Sequence, residues 1–413
     1  MSDTLAILVG GGPAPGINGV IASATIEAIN SGLNVVGIYD GYRDLAAGTP
    51  VKSVALTIDD ASRIRATGGS FLRTSRTNPA KDDASLDRTV ASLEALGARY
   101  LICIGGDDTT FGAARIAQAA KGRIGVATVP KTIDNDLPLP DNAPTFGFET
   151  ARSVGAQIIE SLIEDARTTV RWYIVVSMGR KSGALALAMA SGGGATLAVI
   201  PEEFPGTHLA IERVVDVLCG AIVKRRAQGR DYGVAVVAEG IIERMSAATL
   251  DTLEDVARDA YGHVRLADVP IGSLLRDRVR GRLRSLGLET TVLTKDIGYE
   301  LRCAKPVAFD VDYTRTLGYG AVRYLLGGGS GALIALSGGR VQPVSLEELL
   351  DPQTGRIRTR SVDVRAESYH VARDYMVRLD EGDLAGERLA QLARQTNLEP
   401  TAFAEQFEHS VVR

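Results

Sequence analysis

Four segments of this sequence, each rich in glycine, in charged residues or in both, come directly after short apolar runs. They are residues 10–18 (GGGPAPGIN), 105–109 (GGDDT), 130–136 (PKTIDND) and 178–183 (MGRKSG). In an open parallel sheet, ligands bind beyond the carboxyl ends of the strands. If each apolar run is a strand, these segments contain the residues that could carry out chemistry.

The first segment could bind a phosphate. Gly10, Gly11 and Gly12 have no Cβ atoms, so their N–H groups can approach an anion closely, and a helix N-terminus that follows adds partial positive charge. The segment matches neither the G-x-G-x-x-G register nor a Walker P-loop. It is therefore either a phosphate-binding loop or a plain tight turn between a strand and a helix.

The second segment places two adjacent carboxylates, Asp107 and Asp108, after an apolar run. Carboxylates in such a position commonly hold Mg²⁺. The alternative is that Asp108 or Thr109 caps the following helix. Both interpretations can hold together, because a cap needs only one side chain.

The third segment has a lysine three residues before the first of two acids. Asp134 could accept a proton from an alcohol while Lys131 balances charge on a group being transferred. Asp136 is the second acid. The alternative is a turn in which Asx side chains bond to their own backbone.

The fourth segment places Arg180 and Lys181 at the start of an alanine-rich helix. Positive charge there opposes the helix dipole, which indicates an anionic ligand. Acids follow the next two apolar runs, and their carboxylates could accept hydrogen bonds from sugar hydroxyls. These acids are Glu202, Glu203 and Glu239.

The elements that must position these segments are short strands alternating with helices. Strands are predicted at residues 5–9, 35–39, 100–104, 124–129, 172–177, 196–200, 232–238 and 333–336. Continuous apolar runs of this length are typical of parallel strands covered on both faces. The pattern predicts an α/β fold with two doubly wound, Rossmann-like lobes and mostly parallel sheets. A proline-rich stretch at 137–151 marks the boundary between the lobes. The tail, with a helix over 380–394, predicts a mostly helical C-terminal extension.

Composition excludes several classes of protein. The chain has 413 residues and a formal net charge of −4, which argues against binding nucleic acid through bulk charge. No apolar run reaches the roughly 20 residues that a bilayer span requires. Three widely separated cysteines predict neither a disulfide framework nor a metal finger. We therefore expect a cytoplasmic protein that binds neither nucleic acid nor membranes.

Taken together, the segments resemble the phosphofructokinase family. They occur in the family's order and are followed by residues 298–302 (GYELR), so the resemblance covers roughly residues 4–340. The family transfers a phosphoryl group to the 1-hydroxyl of fructose 6-phosphate. The resemblance implies a donor lobe at 1–138 plus about 301–345, a sugar-phosphate lobe at 139–300 and an extension at 346–413. It also implies Mg²⁺ as cofactor and a homo-oligomer, either a dimer or a tetramer.

The resemblance also implies roles for individual residues. Asp134 would be the general base, acting with Lys131 and Arg180, and Asp107 would hold Mg²⁺. The diphosphate would be bound by Gly11, Gly12, Arg76, Asp108 and Lys131. The sugar phosphate would be bound by Thr132, Asp134, Asp136, Arg171, Met178, Gly179, Arg180, Glu239, Tyr299 and Arg302. Of these, Arg171 matches an arginine that reaches the 6-phosphate of a neighbouring subunit.

Two positions bear on the phosphoryl donor. The family's ATP users typically carry glycine at the positions of Asp108 and Lys131, and here both follow the pyrophosphate-dependent pattern. A carboxylate at 108 would repel an α-phosphate, and Lys131 supplies charge for a donor without a nucleoside. We predict reversible phosphoryl transfer between pyrophosphate and fructose 6-phosphate. The alternatives are an ATP-dependent 6-phosphofructokinase and a non-catalytic phosphosugar sensor of the same fold.

Overall fold

The structure, a computed structural model, describes residues 3–206, 208–245 and 269–411. The chain forms two compact units. The first consists of Met1–Ala151 and Tyr299–Arg360, and the second of Arg152–Gly298 and Ser361–Arg413. The C-terminal region 346–413, predicted as a separate extension, is divided between the units. Its apolar side chains explain the division, because Ile357 packs in a core cluster of the first unit and Phe403 in the core of the second.

The first unit is built on a mostly parallel sheet. Its strands are β1 (Thr4–Val9), β2 (Asn34–Ile38), β3 (Ser53–Ala55), β4 (Ala98–Gly105), β5 (Gly125–Pro130), β10 (Ala332–Ser337) and β11 (Arg340–Ser345). Within the described residues their order is β11-β10-β5-β4-β1-β2-β3. The central strands pair in parallel, and β3 and β11 add antiparallel edges.

The order of these strands fixes where a ligand can bind. β1 lies between β2 and β4, with Leu5 opposite Val35 on one side and Tyr100 on the other. After β1 the chain adds β2 on one side of it, and later adds β4 on the other side. The loops after β1 and β4 lie side by side at this topological switch point, where ligands of doubly wound sheets bind.

Helices cover both faces of this sheet. They are α1 (Ile17–Asn30), α2 (Arg43–Ala47), α3 (Ile58–Ile64), α4 (Asp83–Ala95), α5 (Asp107–Ala120), α10 (Tyr299–Arg302) and α11 (Ala308–Leu326). Helix α1 packs on α11, and α4 packs on α5. Because both faces are covered, the side chains of β1 from Leu5 to Val9 are almost entirely buried.

The second unit has a smaller sheet of parallel strands. These are β6 (Trp172–Ser177), β7 (Leu197–Val199), β8 (Gly233–Ala238) and β9 (Val292–Ile297), in the order β7-β8-β6-β9 among the described residues. The remaining helices are α6 (Phe148–Thr169), α7 (Ala184–Gly193), α8 (Ile211–Ala227), α9 (Ile271–Ser285), α12 (Glu367–Asp374), α13 (Gly386–Ala393) and α14 (Pro400–Phe407). Among the described helices, none is both long and apolar enough to cross a membrane.

The predicted fold class is confirmed: two doubly wound α/β lobes with mostly parallel sheets and a helical C-terminal region. Three strands were not predicted, β3, β9 and β11. β9 (VLTKDI) carries polar residues on an exposed stretch, and β3 and β11 are short or exposed edges. The helix predicted over 380–394 is interrupted, because Gly386 adopts a φ of 58° after a 3₁₀ turn at Glu381–Leu384.

Candidate active site

The switch point of the first sheet brings three of the predicted segments together. The N–H of Gly10, at the end of β1, donates to the carbonyl of Ile104 at 2.9 Å. The N–H of Lys131, at the end of β5, donates to the carbonyl of Gly105 at 2.9 Å. Three neighbouring strands thus deliver the glycine loop, the acidic pair and the lysine segment to one edge of the sheet.

Gly11 is a position that favours glycine. Its φ is 80°, and a Cβ atom there would lie 3.1 Å from Nζ of Lys131. The loop is held from the other side, because the N–H of Gly11 donates to the carbonyl of Ser75 at 2.8 Å. The close approach of an ammonium to this backbone favours the phosphate-binding interpretation over a plain turn.

Lys131 is the buried cation of this site, with 5% of its surface exposed. Its Nζ donates to the carbonyl of Gly12 at 2.5 Å. Burial, with a smaller contribution from the guanidinium of Arg302, lowers the pKa of Lys131 to about 8. The carboxylates of Asp134, Asp136 and Asp107 oppose that shift, so all of these charges lie within electrostatic reach of the ammonium.

The turn that carries Asp134 is tightly bonded. Oγ1 of Thr132 accepts from the N–H of Asp134 at 3.1 Å, and the carbonyl of Thr132 accepts from Oγ1 of Thr145 at 2.7 Å. Asn135 has a left-handed φ of 56°. Oδ1 of Asp134 is buried in this turn. One of the bonds that close the turn locally comes from the side chain of a threonine, Thr132.

The acidic pair begins helix α5. Oδ1 of Asp107 accepts from the N–H of Asp108 at 2.9 Å, and the side chain of Asp108 is exposed. The N-cap residue is Gly106, and no described side chain caps this end of the helix. The expectation that Asp108 or Thr109 caps α5 is therefore wrong. Because of their place in the first turn, both carboxylates face the positive end of the helix dipole.

Arg302 and Tyr299 belong to this unit as well. The guanidinium of Arg302 lies 5.5 Å from the ring centroid of Tyr299. It also lies beside the glycine loop, because a Cβ atom on Gly12 would be 3.4 Å from its Cζ. Tyr299 is 80% exposed, and Arg76 is exposed too. Arg302, predicted to bind the sugar phosphate, thus lies against the predicted donor loop, which no pattern in the sequence indicated.

In the second unit, the segment after β6 meets the ends of β8 and β9. The N–H of Met178 donates to the carbonyl of Ile297 at 3.0 Å, and the N–H of Gly240 donates to the carbonyl of Gly179 at 3.1 Å. Gly179 has a φ of 127°, which favours glycine. Nε of Arg180 lies 3.3 Å from Oε1 of Glu239. Four predicted residues are thus brought together here: Met178, Gly179, Arg180 and Glu239.

Arg171 is not part of that group. It precedes the first residue of β6, whereas Met178 follows the last. A strand of six residues is roughly 20 Å long, so the two lie at opposite ends of it. The Nε of Arg171 is 3.9 Å from Oδ2 of Asp165.

Glu202 and Glu203 serve the fold of the second unit. Oε1 of Glu203 accepts from Nη1 of Arg378 and from the hydroxyl of Tyr369, both at 2.7 Å, and Glu203 is 4% exposed. Oε1 of Glu202 accepts from the N–H of Gly183 at 2.9 Å and from the N–H of Val362 at 3.1 Å. The buried carboxylate of Glu203 is committed to the C-terminal segment, which contradicts its interpretation as a sugar ligand.

Sequence reasoning missed two polar residues beside the site in the first unit. Asp310, on α11, accepts from the N–H groups of Gly147 and Thr150, each at 2.8 Å. Arg360 donates to the carbonyl of Asn135 at 3.1 Å. An acid in an otherwise apolar helical face could have signalled Asp310. The sequence carried no signal for Arg360, because its partners are more than 200 residues away.

The chain is similar in sequence and in fold to known proteins. A family model described as Phosphofructokinase matches residues 4–325. A pyrophosphate--fructose 6-phosphate 1-phosphotransferase of Thermotoga maritima is 50% identical over 416 residues, covering 99% of both chains. One of Naegleria fowleri is 47% identical over 418 residues, covering 99% of this chain and 96% of the relative. A solved pyrophosphate-dependent phosphofructokinase from Nitrosospira multiformis shares the fold, with a TM-score of 0.68 at 18% identity over 97% of this chain and 93% of that chain.

Proposed function

The chain belongs to the phosphofructokinase family. We propose that it transfers a phosphoryl group from pyrophosphate to the 1-hydroxyl of fructose 6-phosphate. The products are fructose 1,6-bisphosphate and phosphate, and the reaction runs in both directions. The observation that carries the proposal is the buried ammonium of Lys131, bonded to the glycine loop at Gly12 and within electrostatic reach of Asp134.

Lys131 and the glycine loop are the core of the proposed diphosphate site. Pyrophosphate has no nucleoside to anchor it, so it must be held by charge and by backbone donors. The ammonium at Nζ supplies the charge, and the open backbone at Gly11 and Gly12 supplies access. Arg76, exposed on the same unit, adds a second cation, and Asp108 excludes a donor that carries an α-phosphate.

Asp134 is the proposed general base. Its carboxylate accepts the proton of the 1-hydroxyl as the hydroxyl oxygen attacks the phosphorus and the bond to the leaving phosphate breaks. The hydrogen bonds of the Thr132 turn hold the backbone at Asp134, so the carboxylate needs no reorganisation during the reaction. Lys131 and Arg180 are proposed to stabilise the charge on the transferring group.

Asp107 is the proposed ligand of Mg²⁺. The described residues contain no cluster of three or more metal-ligating side chains. Mg²⁺ can nevertheless be bound through a single protein carboxylate when phosphate oxygens of the substrate and water molecules complete its coordination shell. When bound, Mg²⁺ would neutralise charge on the diphosphate.

Two groups of residues are proposed to recognise the sugar phosphate. Glu239, which its ion pair with Arg180 helps to order, is proposed to accept from sugar hydroxyls, together with Met178, Gly179 and Arg180. Thr132 and Asp136 are proposed to contact the sugar, and Tyr299 and Arg302 to hold its 6-phosphate. Arg171 is proposed to serve the 6-phosphate of a neighbouring subunit.

We include a cytoplasmic location and assembly into a dimer or tetramer in the proposal. The exposed thiol of Cys303 suits a reducing compartment. Light scattering after size-exclusion chromatography measures the assembly directly.

A donor assay tests the proposal. Purified protein is incubated with fructose 6-phosphate and Mg²⁺, and with either pyrophosphate or ATP, and fructose 1,6-bisphosphate is measured. We expect turnover with pyrophosphate, and turnover with ATP that is far slower or undetectable. Equal turnover with ATP would identify an ATP-dependent enzyme, and binding of the sugar without turnover would identify a sensor.

A further inference from the structure

Arg360 holds the turn that carries Asp134 from a distant part of the chain. Its guanidinium donates from Nε to the carbonyl of Asn135 at 3.1 Å, from Nη1 to the carbonyl of Ala143 at 3.1 Å, and from Nη2 to Oδ1 of Asn135. Its backbone N–H donates to the carbonyl of Asp136 at 2.7 Å. The residue lies beyond residues 4–325, the part of the chain that the family model matches.

The turn needs such support because of its backbone conformation. Asn135 follows Asp134 directly and has a φ of 56°, a left-handed conformation that asparagine adopts more readily than most residues but less freely than glycine. Such a conformation persists only when surrounding contacts determine it. Oδ1 of Asn135 also accepts from the N–H of Thr145 at 3.1 Å, so the arginine completes a bonded frame around this residue.

The segment that carries Arg360 is anchored next to the turn by apolar contacts. Leu137 and Leu139, which follow the turn, are buried in one cluster with Leu346, Leu349 and Ile357. The N–H of Arg358 donates to the carbonyl of Leu349 at 2.9 Å, which closes the hairpin-like loop before Arg360. The position of the guanidinium is therefore set by packing on both sides of it.

The chemistry of the contacts explains why the residue is an arginine. Its planar fork donates in three directions to fixed acceptors, whereas the ammonium of a lysine is a compact charge on a flexible stem. The guanidinium is half-buried and lies within electrostatic reach of Asp136, whose carboxylate stabilises its charge.

We propose that Arg360 is a positioning residue for the reaction: its guanidinium holds the 134–136 turn so that Asp134 meets the acceptor hydroxyl. This inference rests on the proposed function, in which Asp134 is the base. A small displacement of a catalytic group can reduce the rate about 100-fold. The effect should therefore fall on kcat, since Arg360 is not proposed to touch either substrate.

Arg360→Lys and Arg360→Met are compared with the wild type in the pyrophosphate assay. We expect kcat to fall roughly 10- to 100-fold in Arg360→Lys and further in Arg360→Met, with KM for both substrates within about threefold. Added guanidinium ion should restore part of the activity of Arg360→Met and should not raise the activity of the control. The control is Arg356→Met, an exposed arginine of the same segment, which should retain the wild-type kcat.

Several outcomes would overturn the inference. One is a wild-type kcat in Arg360→Lys, and another is a change confined to KM. If the Arg360 variants do not fold, Asn135→Gly removes Oδ1, one of the three acceptors of the guanidinium, while allowing the left-handed φ. We expect a smaller fall in kcat there than in the Arg360 variants, and a wild-type kcat overturns the inference instead. A wild-type enzyme that does not phosphorylate fructose 6-phosphate at all overturns the proposed function, and the inference with it.

Discussion

At the scale of single residues, Lys131 and Asp134 are only three positions apart, yet the structure gives them different surroundings. Lys131 is buried and its ammonium bonds to the carbonyl of Gly12. Asp134 is less buried, and its backbone is held by Thr132. These surroundings support the proposed roles, in which Lys131 pairs with phosphate and Asp134 exchanges a proton.

Replacing Asp134 by Ser should lower kcat by about 10²–10⁴-fold, because a positioned base contributes that much to a proton transfer. Fructose 6-phosphate should still bind, since the hydroxyl of Ser can keep one hydrogen bond. Steady-state kinetics with pyrophosphate measure both parameters. An unchanged kcat with a raised KM would make Asp134 a binding residue, and Asp136 would then be tested as the base.

The activity of the free enzyme should depend on the protonation of Lys131. Its pKa is lowered to about 8, mainly by burial, so the ammonium loses its proton as pH rises through that value. The neutral amine cannot pair with pyrophosphate, and kcat/KM for pyrophosphate should therefore fall above about pH 8. In Lys131→Arg the cation stays charged, so whatever activity remains should show no such fall. The same fall in both proteins would assign it to another group.

Asp108→Gly should shift donor use toward ATP. The carboxylate of Asp108 is exposed in the first turn of α5, where it is proposed to repel an α-phosphate. Removing a repulsive group often changes specificity. The quantity to measure is the ratio of kcat/KM for ATP to that for pyrophosphate, in the variant and the wild type. A ratio that does not rise would show that Asp108 does not select the donor.

At the scale of elements, α11 fixes the loop that follows the Asp134 turn. Asp310 is fully buried on this helix and accepts from Gly147 and Thr150. Burial raises the pKa of Asp310, and the donated hydrogen bonds oppose that rise. The helix therefore provides an acidic anchor on a buried face that otherwise holds Tyr313, Thr314 and apolar residues or glycine.

Asp310→Ala should reduce the free energy of unfolding of the first unit by about 3–5 kcal/mol, because it leaves several buried donors without an acceptor. Asp312→Ala is the matched control. Asp312 lies on the same helix, is exposed, and pairs with Arg315 at 3.4 Å. Its loss should cost no more than about 0.5 kcal/mol. Hydrogen exchange of the amides of α11 measures both, and equal protection in the two variants would contradict the anchoring role.

At the scale of the whole molecule, the C-terminal region completes both cores. Leu346, Leu349 and Ile357 are buried in the first unit. In the second, Phe403 and Phe407 are fully buried with ring centroids 4.7 Å apart. A Cβ atom on Gly220 of α8 would lie 3.6 Å from the ring of Phe407, so the helices of this region pack directly on that helix.

Phe407→Ala should destabilise the second unit by about 3–5 kcal/mol, the usual cost of removing a buried ring. Trp172, the only tryptophan in the sequence, is buried in this unit and reports its unfolding by fluorescence in urea. The control is Tyr375→Ala, because Tyr375 is 86% exposed in the same region. A similar urea midpoint in the two variants would show that the C-terminal helices are not part of this core.

The strands and strand-end segments that depend on a short run of neighbouring residues could be predicted from the sequence alone. Apolar runs such as residues 5–9 and 172–177 predicted parallel strands, since a strand buried on both faces must be apolar throughout. Glycine and charge after those runs predicted the segments at the strand ends. For the same reason, the polar strand β9 and the exposed strand β11 were not predicted.

Contacts between side chains that are far apart in the sequence became known only from the tertiary structure. It placed Arg302 beside Gly12, committed Glu203 to Arg378, and brought Arg360 to the carbonyl of Asn135. Each pairing joins residues more than 170 positions apart. Their contact depends on strand order and on the packing of the C-terminal segment, which no local pattern encodes. Residue types at strand ends thus indicate what chemistry is available, and the fold decides which of those residues are free to perform it.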